Sequence, residues 1–99
     1  MIEPKQCKNM SDIRNAIDEL DNDIVKLISK RSEYVIEASK FKKNETAVRD
    51  ADRVTAVIES KKELAVKYGV SSELISNIYK MMIDFLIKEE LKEWKKQKK

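Results

Sequence analysis

The chain of 99 residues contains no histidine, and this absence restricts its chemistry more than any other compositional feature. Without imidazole there is no histidine-based catalytic triad, no histidine general base and no imidazole-ligated metal. Cys7 is the only cysteine, which excludes an intrachain disulfide and a metal cluster built on thiolates. Any reaction must therefore depend on arginine, lysine, carboxylate and hydroxyl groups.

Residues that break helices are almost absent, since Pro4 and Gly69 are the only proline and the only glycine. The remaining sequence is rich in Ala, Leu, Ile, Glu and Lys, a composition that favours helices over strands. No apolar run approaches the roughly 20 residues of a membrane-spanning helix, and no signal peptide is recognisable. These features predict an all-α, cytoplasmic protein, and the length predicts one domain, residues 1–99.

Opposite charges nearly balance, because 21 lysines and arginines accompany 18 aspartates and glutamates for a net charge of +3. That excess is too small to indicate a nucleic-acid partner on its own. The lysine-rich segment at residues 95–99 is predicted to be a solvated helix end, with a phosphate-binding tail as the alternative.

Apolar residues at alternating spacings of three and four predict an unusually long first helix. It is expected to start near Ser11 or Asp12, either of which can cap its backbone N–H groups, and to run to about Lys43. About 32 residues make a helix of roughly 48 Å, whereas a compact chain of this size has a radius of gyration of about 13 Å. A second copy would cover such a helix, so we expect an intertwined homodimer. A monomeric three-helix bundle with a frayed first helix is the alternative.

Two further helices are expected in the second half of the chain, which makes three helices and no strand. One begins within residues 49–53, where either of two aspartates can cap it, and Gly69 suits its left-handed end. The other begins after the serines at 71 and 72. It is apolar on nearly every side from 81 to 87, so neighbours should surround it there.

Two cations interrupt the apolar seam of the first helix. Counted from Ile13 in steps of three and four, the seam reaches Arg31 and Lys42, which would point nearly the same way on a continuous helix. Arg14 flanks the start of the seam, about 25 Å along the axis from Arg31. Antiparallel pairing with a second copy would bring the two arginines to a common point.

A carboxylate interrupts the third helix in a similar way. Its apolar stripe passes through Ile83 and Leu86 to Glu90 and then Trp94, so Glu90 lies on an otherwise apolar face. A buried lone charge is costly and is normally paired or ligand-bound. One interpretation is an internal salt bridge between Lys42 and Glu90. The other is a pocket for a small dianion whose carboxylates are held by arginines.

At these positions the chain resembles a known family, the AroQ-type, all-helical chorismate mutases. Within that family it is most similar to the branch that contains the isochorismate-pyruvate lyases of salicylate biosynthesis. The resemblance covers nearly the whole chain and rests on the order and separation of several residues. The matching segments are DIRNAIDELDNDIVKLISKRSEYV (12–35), ASKFK (38–42), VRDADRV (48–54) and IKEELKEW (87–94).

The resemblance implies an intertwined homodimer with two active sites, each built from both chains. It also implies a dicarboxylate substrate, chorismate or isochorismate, and a reaction without cofactor or metal. Carried over by position, Arg14 would reach in from the partner chain and Arg31 from the home chain, each to bind a substrate carboxylate. Lys42 would hydrogen-bond the breaking ether oxygen and a carboxylate.

The remaining site residues follow from the same resemblance. Asp50 would meet the ring hydroxyl, Arg53 would aid carboxylate binding from the pocket edge, and Glu90 would face the ether oxygen. A Claisen rearrangement needs a folded substrate and stabilisation of negative charge on that oxygen, which these residue types supply. The expected catalytic residues are Lys42, Glu90 and Arg31.

Two departures separate the chain from many dedicated mutases. Val54 stands where those enzymes carry glutamate, and Leu86 stands where they often carry a small polar residue. The lyase branch also departs at these positions, and the spacing of Pro4 and Cys7 is similar to that branch. Chorismate mutase, which converts chorismate to prephenate, is the first expectation. Isochorismate-pyruvate lyase, which yields salicylate and pyruvate, is the alternative.

Two non-enzymatic interpretations are the remaining alternatives. A non-catalytic helical dimer would have a decayed pocket, yet most of the charged positions are retained: Arg14, Arg31, Lys42, Asp50 and Arg53. A nucleic-acid-binding bundle would place its cations on an exposed face, whereas two of these lie on the predicted seam. Neither a nucleic acid nor a membrane is an expected partner.

Overall fold

The computed structural model describes residues 1–97, in which all regular secondary structure is helical and no strand occurs, so the predicted all-α class is confirmed. The chain divides into two compact units, Met1–Glu33 and Tyr34–Lys99. None of the helices in residues 1–97 is both long and apolar enough to cross a membrane. The helices are α1 (Met10–Ala38), α2 (Glu45–Arg49), α3 (Ala51–Tyr68) and α4 (Ser72–Gln97), with 3-10 turns at Pro4–Gln6 and Ser39–Phe41.

Helix α1 begins slightly earlier than the sequence predicts. The cap is Asn9, whose Oδ1 accepts a hydrogen bond from the backbone N–H of Asp12 at 2.9 Å. Asp12 in turn accepts from the backbone N–H of Lys8 at 3.0 Å through its Oδ2. The predicted caps were therefore wrong by two or three residues, because asparagine caps a helix as well as serine or aspartate.

The 29-residue helix α1 contains no buried residue. Its apolar positions follow the predicted spacing, yet the stripe from Ile13 to Leu27 has exposed fractions of 38% to 68%. A polar opposite face and an apolar stripe of this kind normally mean that the stripe packs against something. The stripe residues of the first unit are Ile13, Ile17, Leu20, Ile24 and Leu27.

The end of α1 differs from the prediction. The helix stops at Ala38 rather than near Lys43, and the turn Ser39–Phe41 follows it. Lys42 has extended backbone, with φ −92° and ψ 134°. The helical periodicity that relates Lys42 to Arg31 therefore does not apply, and the prediction that the two share one helical seam is wrong.

A short helix occupies the region that the sequence predicts as a break. Asn44 caps α2 by accepting from the backbone N–H of Ala47 at 2.8 Å. Asp50 then ends α2 and begins α3: its N–H donates to the carbonyl of Thr46 at 2.8 Å, and its Oδ1 accepts from the N–H of Arg53 at 3.1 Å. Its φ of 32° lies in the left-handed region, which aspartate tolerates better than most residues.

Helices α3 and α4 pack against each other and build the core of the second unit. Gly69 ends α3 with φ 71°, and Ser71 Oγ accepts from the N–H of Leu74 at 3.1 Å to cap α4, both as the sequence predicts. Helix α4 continues through Gln97, and the last two lysines of the predicted tail lie outside the described residues. The buried apolar residues are Val48, Val57, Ala65, Ile83, Leu86 and Leu91.

One prediction for α4 fails within this chain. The segment 81–87 was expected to be surrounded, but Met81 and Phe85 are largely exposed. Together with Leu74 and Ile78 they form a second apolar stripe, at spacings of four, three and four residues, that the described chain leaves open to solvent.

Candidate active site

Glu90 is a buried carboxylate in the second unit. It lies on the inner face of α4, one turn from Leu86, and only 4% of its surface is exposed. Its Oε2 has no hydrogen-bond partner among residues 1–97. A buried polar oxygen without a partner is costly, and such atoms in native proteins usually serve a ligand, a proton or a water molecule.

Burial raises the pKa of the Glu90 carboxyl above its ordinary value, and the positive charge of Lys42 lowers it in part. Burial is the larger effect, because it removes the water that would stabilise the carboxylate. The protonated acid is therefore favoured to higher pH than in an exposed glutamate. As an acid, Glu90 can donate a hydrogen bond, which a carboxylate cannot do.

Lys42 does not form the internal salt bridge that was one interpretation of the sequence. The ion pairs within residues 1–97 do not include Lys42 and Glu90. The Lys42 Nζ instead donates to the carbonyl of Ala47 at 3.2 Å. An ammonium group has three donors, so two remain after this bond. The charge of Lys42 still acts on Glu90, since it opposes the rise of the Glu90 pKa.

The backbone of Lys42 is held from α4. Its carbonyl accepts a hydrogen bond from the indole Nε1–H of Trp94 at 2.9 Å. The sequence analysis placed Trp94 on the apolar stripe of the third helix but missed this contact. The available signal was an aromatic residue with a single polar donor on the inner stripe of α4, one turn beyond Glu90.

Asp50 and Arg53 lie together at the junction of α2 and α3. Asp50 is half-buried and uses Oδ1 to bind the backbone N–H of Arg53, while the Arg53 side chain is exposed. One oxygen of the Asp50 carboxylate therefore has a structural role as a helix cap.

Arg14 and Arg31 both belong to α1 in the first unit. Arg14 is exposed and Arg31 is half-buried. Seventeen residues of continuous helix place them about 25 Å apart along the axis. A single copy of α1 therefore does not bring both guanidinium groups to one small ligand.

The two positions at which this chain departs from many mutases are occupied by apolar residues that are buried or half-buried. Leu86 is buried next to Glu90 on the inner face of α4, and Val54 is half-buried in α3. Neither side chain can donate or accept a hydrogen bond. Leu86 therefore offers Glu90 no polar partner from the neighbouring turn of α4.

Comparison with known proteins identifies relatives of this chain. The chain is 34% identical over 92 residues to the isochorismate pyruvate lyase of Pseudomonas aeruginosa, an alignment that covers 93% of this chain and 91% of the lyase. It is 31% identical over 72 residues to the bifunctional chorismate mutase/prephenate dehydratase of Buchnera aphidicola. That second alignment covers 72% of this chain but only 19% of the relative.

The family assignment follows from a match over most of the helical region. Residues 13–91 fit the family described as chorismate mutase type II. This segment contains all six positions of the candidate site, Arg14, Arg31, Lys42, Asp50, Arg53 and Glu90. With its all-α fold and the buried acid beside a lysine, the chain belongs to the type II, or AroQ, chorismate mutase family.

Proposed function

We propose that this chain acts on the ether bond of an enolpyruvyl dicarboxylate. The preferred candidate reaction is the Claisen rearrangement of chorismate to prephenate. The observation that carries the proposal is Glu90, a buried acid with a raised pKa and an oxygen that no described residue binds. Family membership names the same reaction. The reaction needs no nucleophile, so the lack of histidine is no obstacle.

In this mechanism Glu90 and Lys42 act on the ether oxygen. Negative charge develops on that oxygen as the bond breaks, and donors already in place stabilise it without reorganisation. Protonated Glu90 supplies one donor, and Lys42 supplies a positive charge with two donors left after its bond to Ala47. We expect no cofactor and no metal to take part.

The arginines bind and fold the substrate. Arg31 of one chain and Arg14 of its partner hold the two carboxylates, and a guanidinium binds a carboxylate through two parallel hydrogen bonds. Asp50 meets the ring hydroxyl, and Arg53 assists from the edge. Holding the extended substrate in its folded form accounts for much of the rate enhancement, because orientation lowers the entropic part of the barrier.

The proposed homodimer is supported by two exposed apolar stripes. One lies on α1 and contains Ile17, Leu20 and Ile24; the other lies on α4 and contains Met81 and Phe85. Scattered apolar side chains on a surface are ordinary, but continuous stripes mark surfaces that bind a partner. Association of two copies through isologous surfaces would cover them.

The single-domain organisation and the cytoplasmic location stay predictions.

A second candidate reaction is the elimination of pyruvate from isochorismate, which yields salicylate. Two observations favour it: the match over nearly the full length of the Pseudomonas lyase, and the apolar Leu86 beside Glu90. The elimination breaks the same ether bond, so the same acid, lysine and arginines serve it. Val54 and Leu86 lack the polar groups that many mutases carry at these positions, so we expect them to change how the substrate ring is bound.

Product analysis by chromatography tests the proposal, with purified protein given chorismate and isochorismate in separate reactions. Dominant prephenate supports the mutase. Salicylate and pyruvate from isochorismate with little prephenate would make the chain a lyase. Lys42→Gln should lose about 100-fold or more in rate, whereas Lys43→Gln, a matched change at the exposed neighbour, should retain it. Turnover of neither substrate would overturn the proposal.

A further inference from the structure

The last turns of α4 are hydrogen-bonded to the segment that carries Lys42. The indole Nε1–H of Trp94 donates to the Lys42 carbonyl at 2.9 Å across 52 residues of sequence. The side-chain amide of Gln97 donates to Ser39 Oγ at 3.1 Å. Both bonds join side chains near the end of the last helix to residues 39–42, and neither is required by regular secondary structure.

These bonds are sheltered from water. Ser39 is only 1% exposed, and both bonds are partly buried. A hydrogen bond in such surroundings is electrostatically stronger than one in water, and its loss leaves a buried group without a partner. The indole has a single donor and no acceptor, so its one bond fixes the Lys42 carbonyl directionally.

Lys42 is thereby held at both ends. Its carbonyl is bound by Trp94, and its Nζ reaches the carbonyl of Ala47 at 3.2 Å. The Lys42 N–H closes the turn Ser39–Phe41 by donating to the carbonyl of Ser39 at 3.3 Å, but Lys42 lies between this turn and α2 and so outside the α-helices on either side. The lysine side chain is a flexible four-carbon stem, which delivers its charge to a fixed point only from a fixed backbone.

We infer that Trp94 is a positioning residue, whose N–H fixes the Lys42 carbonyl and so the place from which the Lys42 ammonium reaches the ether oxygen. Gln97 supports the start of the same segment through Ser39. The inference rests on the proposed function, in which Lys42 acts at the reacting oxygen. According to this inference, the end of α4 contributes to catalysis through Lys42 and does not itself contact the substrate.

The expected kinetic effect is specific. A small displacement of the Lys42 ammonium weakens its interaction with the ether oxygen, which is strongest in the transition state. We therefore expect kcat to fall while KM changes little. A general loss of folded protein would instead lower the amount of active enzyme and the unfolding temperature. The split between kcat and KM therefore separates positioning from a merely structural role.

The test is Trp94→Phe, which keeps an aromatic ring for packing and removes the N–H donor together with part of the indole ring system. We expect kcat to fall about tenfold, with KM within about threefold of wild type. Amide hydrogen exchange of residues 40–44, measured by mass spectrometry, should become about tenfold faster, because the segment opens more often. This second measurement does not depend on catalysis.

The matched control is Lys95→Gln, which removes another contact between the end of α4 and the same region. Lys95 pairs with Glu45 at 3.7 Å, but both side chains are more than half exposed, and such pairs contribute little. Wild-type kcat and wild-type exchange are expected for this variant. An equal effect of both substitutions would overturn the assignment to Trp94.

Other outcomes are also decisive. Wild-type kcat in Trp94→Phe would overturn the inference, as would a lower kcat with unchanged exchange at residues 40–44. If the wild-type protein turned over neither chorismate nor isochorismate, the proposed function would fail first. The exchange measurement alone would then decide whether Trp94 fixes the Lys42 segment.

Discussion

The two units of the chain use their apolar residues in opposite ways. In the second unit, α3 and α4 bury residues such as Val57, Ile83 and Leu86 against each other. In the first unit, α1 has the same amphipathic spacing but buries none of its residues. The difference teaches that a helical pattern predicts a face that will be covered, but does not say which chain covers it.

The two units also differ in which of the proposed site residues they contain. The acid and the lysine belong to the unit with its own core, whereas both arginines belong to the unit without one. The four predictions that follow test this division, in order of decreasing expected effect.

The largest expected effect is recovery of activity from two inactive variants. Arg14→Ala and Arg31→Ala should each lose about 100-fold or more in rate. If each site takes one arginine from each chain, mixed dimers contain one intact site of two. Denaturing and refolding an equal mixture should then restore roughly a quarter of wild-type activity, given statistical pairing. Stopped-time assays before and after mixing measure this.

The control for this experiment is a mixture of each variant with itself, refolded in the same way. Activity of the mixed sample no higher than either variant alone would mean that both arginines of a site come from one chain, which contradicts the proposed dimer.

The second prediction concerns the α1 stripe. Ile24→Glu places a charge on it and should convert the dimer to a monomer with activity below a hundredth of wild type, because a charge in an apolar interface is not solvated. Asn22→Glu adds the same charge on the opposite face and should leave a dimer. Light scattering after size exclusion measures both masses. A dimeric Ile24→Glu would rule out this stripe as the interface.

The third prediction concerns the core of the second unit. Ile83→Ala should lower the free energy of unfolding by about 2–5 kcal/mol, since it removes buried methyl groups and leaves a cavity. Met81→Ala alters an exposed residue of the same helix. Met81→Ala should lower the free energy of unfolding only when the dimer covers Met81. The loss in stability should therefore depend on protein concentration. Urea titrations at two protein concentrations measure the stability loss of each variant. If the losses of Ile83→Ala and Met81→Ala depended equally on protein concentration, the distinction between a buried and an interface residue would fail.

The smallest expected effect is a pH dependence that comes from Glu90. Burial raises the pKa of Glu90, so the folded protein holds this proton more tightly than the unfolded chain. Stability is then greatest below the ordinary glutamate pKa and decreases as pH rises through the raised value. Activity should fall over the same range, because only the protonated acid donates to the ether oxygen.

Glu90→Gln tests both halves of this prediction. The amide donates at every pH, so the rate should become flat where the wild-type rate declines, and stability should lose the same dependence. Glu89→Gln is a suitable control, since Glu89 is only partly buried and lies about 100° round the helix. A steep decline that persists in Glu90→Gln would remove Glu90 from the mechanism.

Much of the fold could be predicted from local rules. Apolar spacing identified the three long helices, and Gly69 and Ser71 marked the boundary between two of them. The burial of Glu90 followed from its place on the stripe of α4. These features depend on residues within a few turns of one another, and a sequence displays such relations directly.

The region around Lys42 could not be predicted in this way. The step of four residues from Ala38 to Lys42 continues the seam of α1, so the predicted helix extends beyond the observed end at Ala38. The actual end involves Ser39 and Gln97, which bond across 58 residues, and a cap at Asn44 that starts a new helix. Contacts of such long range have no periodic signal, and the same holds for the bond from Trp94.

Trp94 is the only tryptophan in the chain, and its indole is bound to the backbone of a proposed substrate-binding lysine. Indole emission changes with the polarity and hydrogen bonding around the ring, so the protein carries its own fluorophore at the edge of the candidate site. Binding of a dicarboxylate to Lys42 should register in this emission without any label. Ligand affinities can thus be read for every variant above that keeps Trp94, including those that have lost all turnover.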